Sequence, residues 1–331
     1  MHPVLFEIPF LHFPLRSFGV LVAAGFLLGI WVWGRLLARY GEDPERDPER
    51  GSQVAIWVLV GVLGGARLMY VAVEAGKYLR AEVTPAMESY LAARDRATAA
   101  LDLQAEHAEE VAAAREIAVG RDFLRDPLRI LFLWEGGLVM YGGLFGGVLL
   151  GMWAARRRGL DPRNALDTGL VAGFLGQAVG RWGCLLVGDD YGSVVPERFQ
   201  DLPFPLTIRV PSLEWLEAHP QSLFDHSLAG QVLWATQPWM SLNALLVALV
   251  AWLVLRRRRR YGEVGAVVLV QYSIVRFVIE IFRGDTVRGT WLGGVFSTSQ
   301  LIAIPAALAG IWLLVRFRRR RDPVAGGAGA R

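Results

Sequence analysis

Residues 165–187 read ALDTGLVAGFLGQAVGRWGCLLV, a run of bilayer length that carries Arg181 near its end and is followed by Asp189 and Asp190. A bilayer core asks for about 20 predominantly apolar residues of helix, and this stretch supplies them. A charged side chain inside such a helix is costly, so it pairs, faces a polar cavity or holds an anion. At that depth the anion to expect is a phospholipid headgroup. Outward from this run, similar blocks lie at 17–39, 53–74, 131–155, 241–255, 263–282 and 298–315. The chain is 53% apolar with 12 Trp, and its apolar residues are gathered into blocks rather than spread periodically, which excludes an ordinary soluble domain. The expected fold is an all-α polytopic membrane protein with about seven transmembrane helices.

Arginines set the expected orientation. Arg35, Arg39, Arg46 and Arg50 follow the first block, Arg156, Arg157, Arg158 and Arg163 the third, Arg256 through Arg260 the fifth, and Arg316 and Arg318 through Arg321 the seventh. The connection 188–240 holds Arg198 and Arg209 against seven carboxylates, so the positive-inside rule places it outside. An odd number of spans then gives an external N-terminus and a cytoplasmic C-terminus. The formal net charge of +4 reads as membrane-surface charge, not as a nucleic-acid footprint.

Two insertions divide the blocks. Residues 77–129 are charged and rich in Ala and Glu, and Thr84 before Pro85 reads as an N-cap and first helical residue; an extracytoplasmic helical hairpin is expected. Residues 188–240, with Pro203, Pro205, Pro211 and Pro220 and β-favouring pieces such as 206–210, read as a small extracytoplasmic head. The expected parts are therefore 1–76 with the first two spans, the 77–129 insertion, spans three and four within 130–187, the 188–240 head, spans five to seven within 241–318, and a basic cytoplasmic tail at 319–331.

Within the spans, Arg276, Glu280 and Arg283 recur at intervals of four and three, which puts them on one helical face. Arg276 and Glu280 can neutralise each other as a packing pair. The surplus of Arg283, Arg67 and Arg181 favours a phosphate-binding cavity. The third block holds GGLVMYGGLFGGVLLG at 136–151, whose glycines recur every four residues and allow close helix approach. Tyr141 stands between two glycine pairs, where it serves as an interfacial anchor or as a donor to a phosphate oxygen. Gly142 and Gly143 beside it, Asp189 on the aqueous side and Gln300 near the outer end of the last span complete the expected substrate-binding set with Arg67, Arg181 and Arg283. Cys184 is the only cysteine, which excludes an intramolecular disulfide; it reads as a packing residue. No His/Cys/Asp cluster stands out as a metal site, and no cofactor is expected.

The matching pieces are IPFLHFPLRSFGVLVAAGFLLG, GGARLMYV at 64–71, DPLRILFLWEGGLVMYGGLFGG at 126–147, LGQAVGRWG at 175–183, QYSIVRFVIEIFRGD at 271–285 and STSQL at 297–301. In this order the chain resembles the prolipoprotein diacylglyceryl transferase family. The resemblance implies transfer of the diacylglyceryl group of phosphatidylglycerol to the lipobox cysteine of a preprolipoprotein, in the bacterial inner membrane. It implies catalytic roles for Arg181, Arg276 and Glu280, with Arg181 matching the essential signature arginine, and Tyr141 stays a catalytic candidate from its place between the glycine pairs. The family signature continues with asparagines and a glutamate where this chain has Cys184, Val187 and Asp189. Tyr141 stands where a histidine is common, Phe18 where a tyrosine is usual, and QPWMSLN from Gln237 to Asn243 replaces a His-Pro-x-Gln-Leu-Tyr-Glu pattern. These departures leave open an inactive or altered paralogue that binds anionic phospholipid without transferring it.

Overall fold

The computed structural model describes residues 2–8, 13–95, 108–133, 136–284, 290–291 and 296–319. Among them, six helices are long and apolar enough to cross a membrane. They are α1 (Ser17–Tyr40), α2 (Asp47–Arg80), α6 (Pro162–Val187), α8 (Thr236–Arg257), α9 (Glu263–Ile281) and α10 (Thr298–Arg319). The chain forms two compact units, 1–52 with 159–331, and 53–158.

The expected third span differs. Residues 127–131 form a 3-10 turn, 136–139 have no regular secondary structure, and only Met140–Arg157 is helical (α5), 18 residues long. Gly136 and Gly137 adopt φ of +80° and +71°, a left-handed conformation that cannot continue a right-handed helix. Two other boundaries move. Helix α2 runs to Arg80, so the expected boundary at 76 falls inside it, and α8 begins at Thr236, which ends the head five residues earlier than 240. The tail beyond Arg319 lies outside the described residues.

In the unit 53–158, α2 crosses α5 through glycine. A Cβ on Gly61 or Gly65 would strike the carbonyl oxygens of Gly146 and Gly142, and the reverse substitutions would strike Gly61 and Gly65 in turn. Backbone therefore lies on backbone, the contact that small residues every four positions permit. The insertion is a helical pair as expected, α3 (Pro85–Asp95) and α4 (Ala108–Arg125). Thr84 Oγ1 accepts from the Met87 amide at 3.3 Å, and Met87, Tyr90 and Leu91 pack on Val111, Ala114, Ile117 and Ala118.

In the other unit, α6 is the central helix, with α1 and α8 packed on it and α9 packed between α8 and α10. Gly25 and Gly176 meet backbone to backbone, Trp33 Nε1 donates to Thr168 Oγ1 at 2.9 Å, and Ser241 Oγ donates to the Ala178 carbonyl at 2.8 Å. At the arginine-rich end the fully buried Asp167 carboxylate accepts from Arg258 at 2.9 Å and from the amides of Gly262 and Gly265 at 2.8 and 3.0 Å, which fixes the turn from α8 to α9. At the opposite end stands the head. Strands β3 (Thr207–Arg209) and β4 (Val232–Trp234) pair antiparallel, following the amino-terminal hairpin of β1 (Val4–Ile8) and β2 (Phe13–Arg16). With α7 (Leu213–Ala218) the head closes over Leu185, Tyr191, Leu216, Phe224 and Leu233.

Candidate active site

Helix α6 ends at Gly188, in left-handed conformation at φ +78°, where the amides of Gly188 and Asp189 both return to the Cys184 carbonyl at 3.0 and 2.9 Å. This is a glycine-capped helix end. It turns the chain so sharply that Asp190, itself at φ +53°, comes back beside Arg181, nine residues earlier. Arg181 Nη1 donates to one oxygen of Asp190, and Arg283 Nη2 donates to the other at 2.5 Å.

Arg283 reaches that carboxylate because α9 has already ended. Phe282 caps the helix, and Arg283 pairs as an isolated bridge with Gly192. The expectation that Arg276, Glu280 and Arg283 share one helical face is thus corrected. The first two do, at i and i+4 in an ion pair of 2.6 Å, whereas Arg283 leaves the helix and turns toward the loop. Gly192 is needed at the crossing: its amide donates to the Trp234 carbonyl at 3.0 Å, and a Cβ there would lie 3.0 Å from the Phe282 carbonyl oxygen and closer still to Trp234. Ser193 N donates to Phe282 O at 2.7 Å. The loop after α6 is in this way sewn between the head and the end of α9.

Arg276 and Glu280 are buried, at 7% and 2% exposure, and Arg276 also donates to Ser299 Oγ at 3.1 Å. Burial raises the Asp190 carboxyl, but the Arg181 and Arg283 guanidiniums outweigh it and hold the group below the usual carboxylate range. Two guanidiniums on one carboxylate leave one positive charge over. Cys184 Sγ and carboxylate oxygens of Asp189 and Asp190 lie within 4.8 Å of one another. Both Asp190 oxygens of this trio are engaged by guanidiniums.

The structure brings Arg181, Arg276, Glu280, Arg283, Asp189 and Gln300 into one unit. Gln300 works there as a helix cap. Its Oε1 accepts from the Ser297 amide at 3.0 Å while its own amide donates to Ser297 Oγ at 3.2 Å, the reciprocal capping box that Ser-x-x-Gln announces in sequence. Arg67, Tyr141, Gly142 and Gly143 belong to the other unit. Arg67 donates to the carbonyls of Ile130, Arg129 and Gly136 and lies against the Phe123 ring at 5.1 Å, so it ties Arg129, Ile130 and Gly136 to α2. Gly142 and Gly143, expected beside substrate, face α2, where a Cβ would meet Gly65 O in the first case and Val62 O at 3.1 Å in the second.

The sequence marks Asp190 together with Asp189 just after the Arg181 helix, but Thr236, Gln237 and Asn243 were passed over as site residues. Only its backbone turn gives Asp190 two arginines. Thr236 Oγ1 donates to Asp190 O at 2.6 Å and Gln237 Nε2 to Asp189 O at 2.8 Å, anchoring the same loop from the start of α8. Gln237 Oε1 and Asn243 Oδ1 are buried without a hydrogen-bond partner among the described residues. Gln237 and Asn243 are the ends of the QPWMSLN stretch, and their polarity in an apolar helix was the available signal.

The profile of the prolipoprotein diacylglyceryl transferase family matches residues 3–98 and 108–316. A phosphatidylglycerol–prolipoprotein diacylglyceryl transferase of Rhodospirillum centenum is 27% identical over 317 residues, 95% of this chain and 92% of its own. The Azospirillum brasilense protein of that name is 27% identical over 96% of this chain and 95% of its own, and the Bordetella avium one is 33% identical over 60% and 67%. With the profile matching on both sides of residues 99–107 and through the Arg181 loop, the chain belongs to the prolipoprotein diacylglyceryl transferase family.

Proposed function

We propose that this protein transfers the diacylglyceryl group of phosphatidylglycerol to the lipobox cysteine thiol of preprolipoproteins, at the outer ends of α6 and α9. The observation that carries this reading is the sharing of Asp190 between Arg181 and Arg283, with Arg276 one to two turns deeper. A phosphodiester is the anion that such a group of guanidiniums fits, since each presents a planar fork to two oxygens.

In the reaction the substrate sulfur attacks the glyceryl carbon that bears the phosphate. A C–S bond forms, the C–O bond to phosphate breaks, its electron pair stays on the departing glycerol phosphate, and the thiol proton passes to a base. Negative charge grows on the leaving phosphate, so guanidiniums placed there stabilise the transition state more than the ground state. An ordinary thiol, with a pKa of about 8.5, is a poor nucleophile until deprotonated. Glu280 and Tyr141 are the two groups assigned to take its proton, and Glu280→Gln and Tyr141→Phe separate them. Within the unit 53–158, Arg67, Gly142 and Gly143 support the backbone around Tyr141, and in the other unit Gln300 caps α10 while Asp189 stands beside Asp190. In the membrane, the head and the N-terminus lie outside, and the arginine-rich turns lie in the cytoplasm of a bacterial cell.

The test is incubation of the purified protein with phosphatidylglycerol and a lipobox peptide, read by the mass gain of one diacylglyceryl group. Arg181→Ala is expected to lower the rate by about 100-fold or more, the loss seen when a preorganised charge-stabilising donor is removed. Undiminished transfer by that variant removes the assigned role, and binding of the lipid without any mass gain in the wild type removes the reaction.

A further inference from the structure

At the opposite, arginine-rich ends of α1 and α8 the structure opens a cavity of about 490 Å³ whose lining includes Trp31, Arg35, Arg39, Tyr40, Trp252 and Arg256. Both helices pack on α6, and the floor between them is the apolar cluster of Leu36, Val171, Val247, Ala251 and Leu255. We infer that this cavity is a second phospholipid site, separate from Arg181, which holds the phosphate of an anionic phospholipid between Arg35, Arg39 and Arg256 with its acyl chains along the slot between α1 and α8.

Three observations carry the assignment. The lining contains three guanidiniums and no carboxylate, and none of these arginines has an ion-pair partner among the described residues. Two of the arginines are held in place by aromatic faces: Arg35 lies 3.9 Å from the centre of the Trp31 ring and Arg256 lies 4.7 Å from that of Trp252. Such stacking orients the planar fork while leaving its edge N–H groups for an oxygen anion. The indoles are themselves 55% and 36% exposed, at the level where tryptophan sits among headgroups. Charge that served topology alone asks only for arginines near the span end, splayed into water. Here residues from two different helices converge on one concavity over an apolar floor, the arrangement that matches a headgroup above its chains. The inference does not depend on the transfer reaction.

The full chain in phosphatidylcholine nanodiscs is to be exposed to phosphatidylglycerol carrying a photo-crosslinker on its headgroup, and the labelled peptides mapped. Labelling is expected on 31–40 and 252–256, whether or not peptides around Arg181 are also labelled, so the two sites are read separately. Arg35→Gln, Arg39→Gln and Arg256→Gln together are expected to reduce that labelling on the order of 100-fold. An equal charge loss elsewhere, Arg156→Gln, Arg316→Gln and Arg319→Gln, is expected to leave it unchanged, and excess inorganic phosphate or zwitterionic phosphatidylethanolamine is expected not to compete. Should the glutamine triple fail to fold, the triple to lysine keeps the topogenic charge but loses the stacked fork, and its labelling is expected to fall several-fold. Absent labelling of these peptides in the wild type, equal labelling in both glutamine triples, full competition by free phosphate, or lysine labelling equal to arginine would each overturn the site.

Discussion

Asp190 carries two guanidiniums on one carboxylate, and its backbone sits in a conformation few non-glycine residues adopt. Asp190→Asn keeps the shape and removes the charge, leaving Arg181 and Arg283 facing each other. Because the carboxylate is 22% exposed, the cost falls below that of breaking a fully buried pair, at about 2 kcal/mol. The expected result is a lower unfolding midpoint together with a changed phosphatidylglycerol KM, measured on the same preparation. Since the Asp190 pKa is lowered on folding, its contribution is complete above the unfolded value of about 3.9 and disappears as pH falls through the lower folded value. Stability of the wild type minus that of Asp190→Asn is therefore expected to be flat from pH 5 to 8 and to shrink only in stronger acid; a difference that vanished near neutrality would contradict the ion triad. The sequence marks Asp189 and Asp190 together beside Arg181, but two adjacent loop carboxylates look alike there, and only the turn at Gly188 decides that Asp190 is the one that faces back.

At the scale of elements, Gln300 separates two roles by experiment. Gln300→Ala removes one half of the cap on α10 and is expected to cost about 1 kcal/mol with KM unmoved; an unchanged midpoint with a raised KM would instead assign it to the headgroup. The α2–α5 crossing gives a sharper prediction. Gly65→Leu inserts a side chain where a Cβ already meets backbone, and is expected to destabilise by about 3 kcal/mol or to prevent accumulation of folded protein, whereas Gly64→Leu, with nothing within 4 Å of its Cβ, is expected to be tolerated. The four-residue glycine spacing on α5 was legible. Its partner glycines on α2 were not paired with it, since spacing along one helix does not name the helix it meets. The start of α5 was misplaced for a similar reason, because a hydropathy average passes over the two left-handed glycines that stop the helix.

For the whole molecule, four of the six helices long enough to span among the described residues follow from composition closely: α1, α6, α9 and α10 begin within three residues of the apolar blocks, whereas α2 and α8 begin five or six residues earlier. Orientation is tested by labelling single cysteines in a Cys184→Ser background. Ser227→Cys in the head is expected to react with a membrane-impermeant maleimide added to intact spheroplasts, and Arg259→Cys only after lysis; the opposite pattern would invert the topology proposed above.

The sequence alone determined that this chain lives in a bilayer, which ends of its helices are basic, and that its buried charges centre on Arg181, Arg276 and Glu280. Those properties are sums over local residues, and burying apolar blocks while penalising charge is a rule that needs no neighbours. Which charges meet was decided only by tertiary structure. Arg181 and Arg283 are about one hundred positions apart, Asp190 joins them through one left-handed turn, and Arg67 spends itself on carbonyls that no spacing foretold. Pairing of this kind depends on where the backbone reverses and on how closely glycines let helices approach, and both are properties of the folded chain.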